Sequence, residues 1–162
     1  SVDVDYSGVM ITKGINAGSE EDLTVAFSRG AEGAVDGQMA ETRLITFNND
    51  ILLSPARQNE YIRLPITGGT KSYFTSFNHQ ILNKNNIKEI RDLAVKVRKN
   101  MSKYSETTKR VYDVEFGFED DKLWLFQIRP FVENKQAMTS DYLVSISSDV
   151  NLDKKVPLSI KL

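Results

Sequence analysis

The segment Arg110-Val111-Tyr112-Asp113-Val114-Glu115-Phe116-Gly117-Phe118, then Glu119-Asp120-Asp121, then Lys122-Leu123-Trp124-Leu125-Phe126-Gln127-Ile128-Arg129-Pro130 is the most constraining stretch of this chain. Its period-two alternation around a short acidic turn dictates a β-hairpin. Successive side chains leave a strand on opposite faces, so Tyr112, Val114, Phe116 and Phe118 share one face while Asp113 and Glu115 share the other. On the second strand Trp124, Phe126 and Ile128 point one way, and Leu123, Leu125, Gln127 and Arg129 the other.

Register decides what those faces contain, because a one-residue slip moves a strand's whole set of side chains to the opposite side. A two-residue loop at Asp120-Asp121 would set Phe116 beside Leu125 and Val114 beside Gln127, mixing large aromatics with polar groups. A loop of Glu119 to Asp121 is therefore expected, pairing Phe118 with Lys122, Asp113 with Gln127 and Val111 with Arg129. One face is then a core. The other is a floor of two carboxylates, an amide and a guanidinium, with Leu123 and Leu125 beside them.

Adjacent carboxylates supply hard oxygen ligands for magnesium, which keeps nucleotide phosphate oxygens in its shell. A planar, permanently charged arginine beside them suits the phosphate itself. Alternation alone is equally met by a solvated face on which Asp113 and Arg129 form a surface ion pair, and that is the commoner arrangement. The two leucines argue against it, since a wet face seldom carries leucines at alternate positions.

Further strands are expected at Gly8–Thr12, Leu23–Phe27 and Ala40–Phe47, which are short, rich in β-branched residues and separated by polar and glycine clusters. Arg29-Gly30-Ala31-Glu32-Gly33-Ala34-Val35-Asp36-Gly37 reads as a sharp turn. Ser54 to Gly69, with its two prolines, reads as an excursion around one brief strand at Tyr61–Leu64. One helix is expected where Ile87, Ile90, Leu93, Ala94, Val97, Met101 and Tyr104 recur at helical spacing, with Asn86 as N-cap and Glu89 completing a capping box. Lys88, Arg91, Lys96, Arg98 and Lys99 fill its other side, read as a charged, solvated face. After Pro130, Tyr142–Ile146 and Val156–Leu162 could each add a strand. The fold class is therefore α+β: an antiparallel sheet with one main amphipathic helix.

A length of 162 residues suits one domain, which would bury roughly two-thirds of the surface of the unfolded chain. The 21 basic and 22 acidic residues nearly cancel, so no global field draws the chain to nucleic acid or an anionic membrane. Without cysteine there is no disulfide, thiolate nucleophile or cysteine-ligated metal, and the expected compartment is the cytoplasm. No apolar run approaches the roughly 20 residues of a membrane span. The opening Ser1-Val2-Asp3-Val4-Asp5 lacks the basic and apolar regions of a signal peptide and reads as a boundary inside a longer protein, or as a start from which the initiator was removed. His79, the only histidine, is expected to be an ordinary turn or surface residue, and Gly68-Gly69-Thr70-Lys71-Ser72 lacks the spacing of a P-loop.

Asp113-Val114-Glu115-Phe116 followed across a hairpin by Leu125-Phe126-Gln127-Ile128-Arg129-Pro130 resembles the end of the ATP-grasp nucleotide-binding domain in the phosphoenolpyruvate synthase and pyruvate phosphate dikinase family, where an Asp-x-Glu strand precedes Leu-Gln-x-Arg-Pro. Ser7-Gly8-Val9-Met10-Ile11-Thr12 resembles the family's Gly-Val-Met-Phe-Thr strand, so the likeness runs in order from about Asp5 to Pro130. The resemblance implies one domain over residues 1–162, with an ATP-grasp C-terminal subdomain at about 5–130 and an extension at 131–162. It implies ATP and magnesium as cofactors, with Asp113, Glu115 and Gln127 at the metal, Gln127, Arg129 and Glu32 at the nucleotide, and Arg129 in the catalytic role on the phosphates. The glycine turn departs from the family's Gly-Leu-Gly-Glu, since Gly30-Ala31-Glu32-Gly33 exchanges glutamate and glycine.

The implied partners are the N-terminal ATP-grasp subdomain of a parent chain, which brings a lysine and an arginine, and a small phosphoryl acceptor, pyruvate or another. The family's relay histidine belongs to a separate domain, and His79 does not match its motif. The implied activity is an ATP-dependent phosphotransfer of dikinase type, incomplete in this piece alone. The other reading is a non-catalytic module that keeps the fold as a structural or partner-binding domain. A nucleic-acid-binding domain would need a basic face with interleaved aromatics, which only the helix approaches.

Overall fold

The computed structural model describes residues 2–14, 21–31, 40–76, 80–101 and 110–132. The strands are β1 (Tyr6–Ile11), β2 (Leu23–Arg29), β3 (Glu41–Ile45), β4 (Asp50–Ser54), β5 (Glu60–Arg63) and β6 (Lys71–Phe74), and after helix α1 (Lys84–Met101) come β7 (Tyr112–Glu119) and β8 (Lys122–Pro130). Six of them form one antiparallel sheet in the order β4-β3-β2-β1-β7-β8, while β5 and β6 pair separately. Residues Ser1–Phe131 make one compact unit and Val132–Leu162 a second. The fold is α+β, a mostly antiparallel sheet with one helix.

The helix covers one face of the large sheet. Ile87, Ile90, Ala94 and Val97 join Met10, Val25, Phe27, Ile45, Val114, Phe116 and Phe118 in a single buried cluster, with Leu93 and Met101 packed at its margin. These are the helical positions spaced by three and four that the sequence marks; Tyr104 lies outside the described residues.

The start of α1 falls one turn earlier than expected. Asn83, not Asn86, is the N-cap: its Oδ1 accepts from the backbone N–H groups of Asn85 (2.8 Å) and Asn86 (2.9 Å), and its carbonyl accepts the first helical bond from Ile87. Asn86 is the reciprocal member of the box, accepting the Asn83 N–H at 2.9 Å, and Glu89 remains exposed. The shift has a tertiary cause. Both asparagine amides donate to Asp121 Oδ1 at the tip of the β7–β8 hairpin, at 3.0 and 3.2 Å, and Asn86 is 1% exposed. A helix beginning after Asn86 would forgo that tie.

The basic side of α1 is not uniformly solvated. Lys88, Lys96 and Lys99 are exposed, but Arg98 donates to the carbonyls of Thr12 and Asp22, and Arg91 to those of Thr46 and Asn49. The two arginines thus tie the helix to backbone carbonyls at the ends of the strands.

The brief strand expected at Tyr61–Leu64 is β5, and Lys71–Phe74 forms its partner β6; β4 is a further strand that alternation does not reveal. The β5–β6 hairpin is tied to the large sheet through Arg63, which donates to Asp3 (2.8 Å) and Asp5 (2.5 Å), and through Ala31 N–H to the Ile62 carbonyl (3.1 Å). At Gly30, φ is 75° and an added Cβ would lie 2.2 Å from the Ile62 oxygen, so the glycine turn begins where β5 crosses closest. Glu32 and the rest of that turn through residue 39, like His79, lie outside the described residues.

Candidate functional site

The face of the large sheet opposite α1 carries the polar set, and the turn of the last hairpin explains how. Asp120 and Asp121 both have positive φ, 49° and 60°, forming a two-residue turn of the primed type whose twist matches that of the flanking strands. Aspartate tolerates this left-handed geometry better than most residues. The expected three-residue loop is therefore wrong: Glu119 pairs with Lys122, Phe118 with Leu123 and Phe116 with Leu125.

That register would have brought Gln127 to Val114 on the core side, but a bulge intervenes. The pairing steps by one residue between Glu115 and Phe116, leaving Phe126 as the extra residue and setting Glu115 opposite Gln127, Val114 opposite Ile128 and Asp113 opposite Arg129. These replace the expected pairs of Asp113 with Gln127 and Val111 with Arg129. The four polar side chains still share one face, now as two directly facing pairs.

The two-residue turn also reverses the expected places of the neighbours. Leu123 and Leu125 stand opposite Phe118 and Phe116, and Leu123 packs on the core, so the leucines do not border the polar floor. Trp124 pairs with Gly117 instead, and the Phe126 ring lies over that glycine: an added Cβ would meet its Cζ and Cε2 at 2.8 and 2.9 Å. Sequence reading, which set Trp124 and Phe126 on the core face, missed this close approach to Gly117. Its trace was the glycine interrupting a run of phenylalanines, a common mark of a bulge or a close approach. Towards the sheet centre the floor continues through Val9 and Ile11, paired with Glu115 and Asp113, and then Ala26 and Thr24.

Within the floor Arg129 donates from Nε to Asp113 Oδ2 at 2.7 Å, and its Nη2 lies 3.5 Å from Glu115 Oε1. The hydrogen bond to Asp113, with the charges of both carboxylates, makes Arg129 hold its proton more firmly than an ordinary arginine. Asp113 is only 14% exposed against 54% for Arg129, so the carboxylate is fixed and the guanidinium is the adjustable partner. Asp113 Oδ1 is buried and has no hydrogen-bond partner. A buried carboxylate oxygen with unused lone pairs suits a hard cation. Among the described residues no group of three or more His, Cys, Asp or Glu could hold a metal. A cation at this floor would take Asp113, Glu115 and the Gln127 amide oxygen, with phosphate and water completing its shell.

A sequence model of the family described as pyruvate phosphate dikinase, AMP/ATP-binding domain, matches residues 1–148. The chain belongs to that family. No curated protein matches it. The family match includes every strand and the helix described above, so this AMP/ATP-binding domain is the nucleotide-binding portion of a pyruvate phosphate dikinase-like protein. Among its described residues no helix is long and apolar enough to cross a membrane.

Proposed function

We propose that the floor of Asp113, Glu115, Gln127 and Arg129 is the metal- and phosphate-binding side of an ATP-grasp site in an ATP-dependent phosphotransferase of dikinase type. The observation that carries this reading is the bulged register, which sets Glu115 against Gln127 and Asp113 against Arg129 on the sheet face away from α1. The family match supplies the nucleotide. Magnesium, when bound, neutralises phosphate charge and aligns the transferred group. Asp113 and Glu115 hold it through carboxylate oxygens and Gln127 through its amide oxygen. Arg129 grips the phosphates with a fork that stays charged at every working pH. Catalysis by such a floor is positioning and charge stabilisation rather than covalent chemistry.

The floor is one side of a site. The N-terminal ATP-grasp subdomain of the same longer protein closes the other and brings further cations, and the phosphoryl acceptor is pyruvate or another small molecule. Residues 1–162 alone are then inactive. In this reading Glu32, from the glycine turn, contributes to the phosphate site. The exchanged order Gly30-Ala31-Glu32-Gly33 favours a second reading, a domain that keeps the fold as a structural or partner-binding module.

The test is ATP consumption by the full-length protein across small phosphoryl acceptors, beside a folded Glu115→Ala variant. The first reading expects turnover that falls at least about 100-fold in the variant, the scale of losing one charge-stabilising group. Absence of turnover with any acceptor favours the second reading.

A further inference from the structure

Arg129 lies against one oxygen of each of the two carboxylates that a metal would need. Its Nε is hydrogen-bonded to Asp113 Oδ2 and its Nη2 lies 3.5 Å from Glu115 Oε1, so one guanidinium spans both carboxylates. A divalent cation entering between Asp113 and Glu115 faces that positive charge at close range, even when it takes the unpartnered Asp113 Oδ1. Arg129 is half exposed, at the outer end of β8, the edge strand of the sheet, so its long side chain can pivot away while Asp113 stays fixed. It leaves at little cost only if another anion receives it. A polyphosphate is the other partner a planar guanidinium fork fits.

We infer that Arg129 competes with the metal for Asp113 and Glu115, so that the floor selects a metal–polyphosphate complex as a unit and discriminates against the bare cation. This rests on the nucleotide-site reading above. Binding of a bare cation breaks the Arg129 ion pair and leaves two positive charges beside each other. Binding of the complex breaks the same pair but gives Arg129 a phosphate, and Gln127, being neutral, serves the cation in either case. Arg129 thus acts as a placeholder that phosphate displaces, coupling metal affinity to nucleotide affinity, and by linkage the coupling is reciprocal.

The test measures Mn2+ binding to the full-length protein by paramagnetic resonance, with and without ATP, for wild type, Arg129→Gln and Asp113→Asn, each checked for an unchanged unfolding transition. The inference expects effects of opposite sign in Arg129→Gln. Bare Mn2+ binds about two- to fivefold more tightly, the scale of a removed exposed ion pair. Mn–ATP binds at least about tenfold more weakly, as a charge-assisted phosphate contact is lost. If Arg129→Gln binds bare Mn2+ no tighter than wild type while Mn–ATP binding still falls, the competition is refuted and the nucleotide site stands. If all three proteins bind Mn–ATP alike, the nucleotide site itself is wrong and the competition falls with it.

Discussion

Asp113 and Arg129 face each other across β7 and β8, with Arg129 Nε donating to Asp113 Oδ2 at 2.7 Å while Asp113 Oδ1 is buried without a partner. The pair therefore satisfies only half of the buried carboxylate. Asp113→Asn should leave the unfolding midpoint close to that of wild type, because Arg129 is half exposed and its ion pair is screened by solvent. The same variant should lose at least about tenfold in metal-dependent nucleotide affinity, since an amide replaces the ligand. Urea unfolding and a binding titration on one preparation separate the two effects.

Gly30 couples the glycine turn to the β5–β6 hairpin. Gly30→Ala puts a Cβ 2.2 Å from the Ile62 backbone oxygen in a left-handed conformation, and neither backbone can yield cheaply. The expected loss is about 3 kcal/mol or more, combining the left-handed penalty with the forced shift. A urea midpoint within error of wild type would show that β5 does not hold the turn.

The start of α1 gives a graded pair. Asn83→Ala removes the cap and should cost about 1 kcal/mol. Asn86→Ala should cost more, about 1–3 kcal/mol: both amides donate to Asp121, but Asn86 does so from a buried position and its removal also leaves the Asn83 N–H without its acceptor. Equal losses would mean that the burial of Asn86 adds little to its bonds.

Asp3 gives a pH signature. Its hydrogen bond to Arg63 holds its carboxyl below the ordinary 3.8, so the folded state binds the proton more weakly than the unfolded chain. The sign follows: this contribution is complete above 3.8 and fades as the pH drops through the lowered folded value. Wild type should therefore lose more stability than Asp3→Asn as the pH is lowered through and below 3.8. Parallel losses in the two proteins would show that Arg63 does not hold Asp3 ionised.

The elements that read clearly from sequence are those whose burial is periodic. The stripe from Ile87 to Val97 and the run Tyr112, Val114, Phe116, Phe118 each meet a core, and each fold as their spacing dictates. β4 and β6 were illegible because they bury no consistent face: Ile51, Leu52 and Leu53 are all exposed, as is every residue from Lys71 to Phe74. The polar floor was legible as a set of residues but not as pairs. Alternation fixes faces only within an unbroken strand, and the extra residue at Phe126 breaks the count. A shorter turn and a bulge together displace Gln127 and Arg129 by two places along β7 relative to the three-residue loop, returning them to the face that loop would have given. The helix start was misread for a different reason, since both Asn83 and Asn86 are competent caps and only the distant Asp121 chooses between them.

The most direct measurement is calorimetric titration of the full-length protein with ATP, in magnesium and in a metal chelator, for wild type and a folded Glu115→Ala, Arg129→Ala double variant. The account predicts that wild type binds ATP more tightly with magnesium and that the double variant loses this metal-dependent part. Equal affinity and equal metal dependence in the two proteins would contradict it.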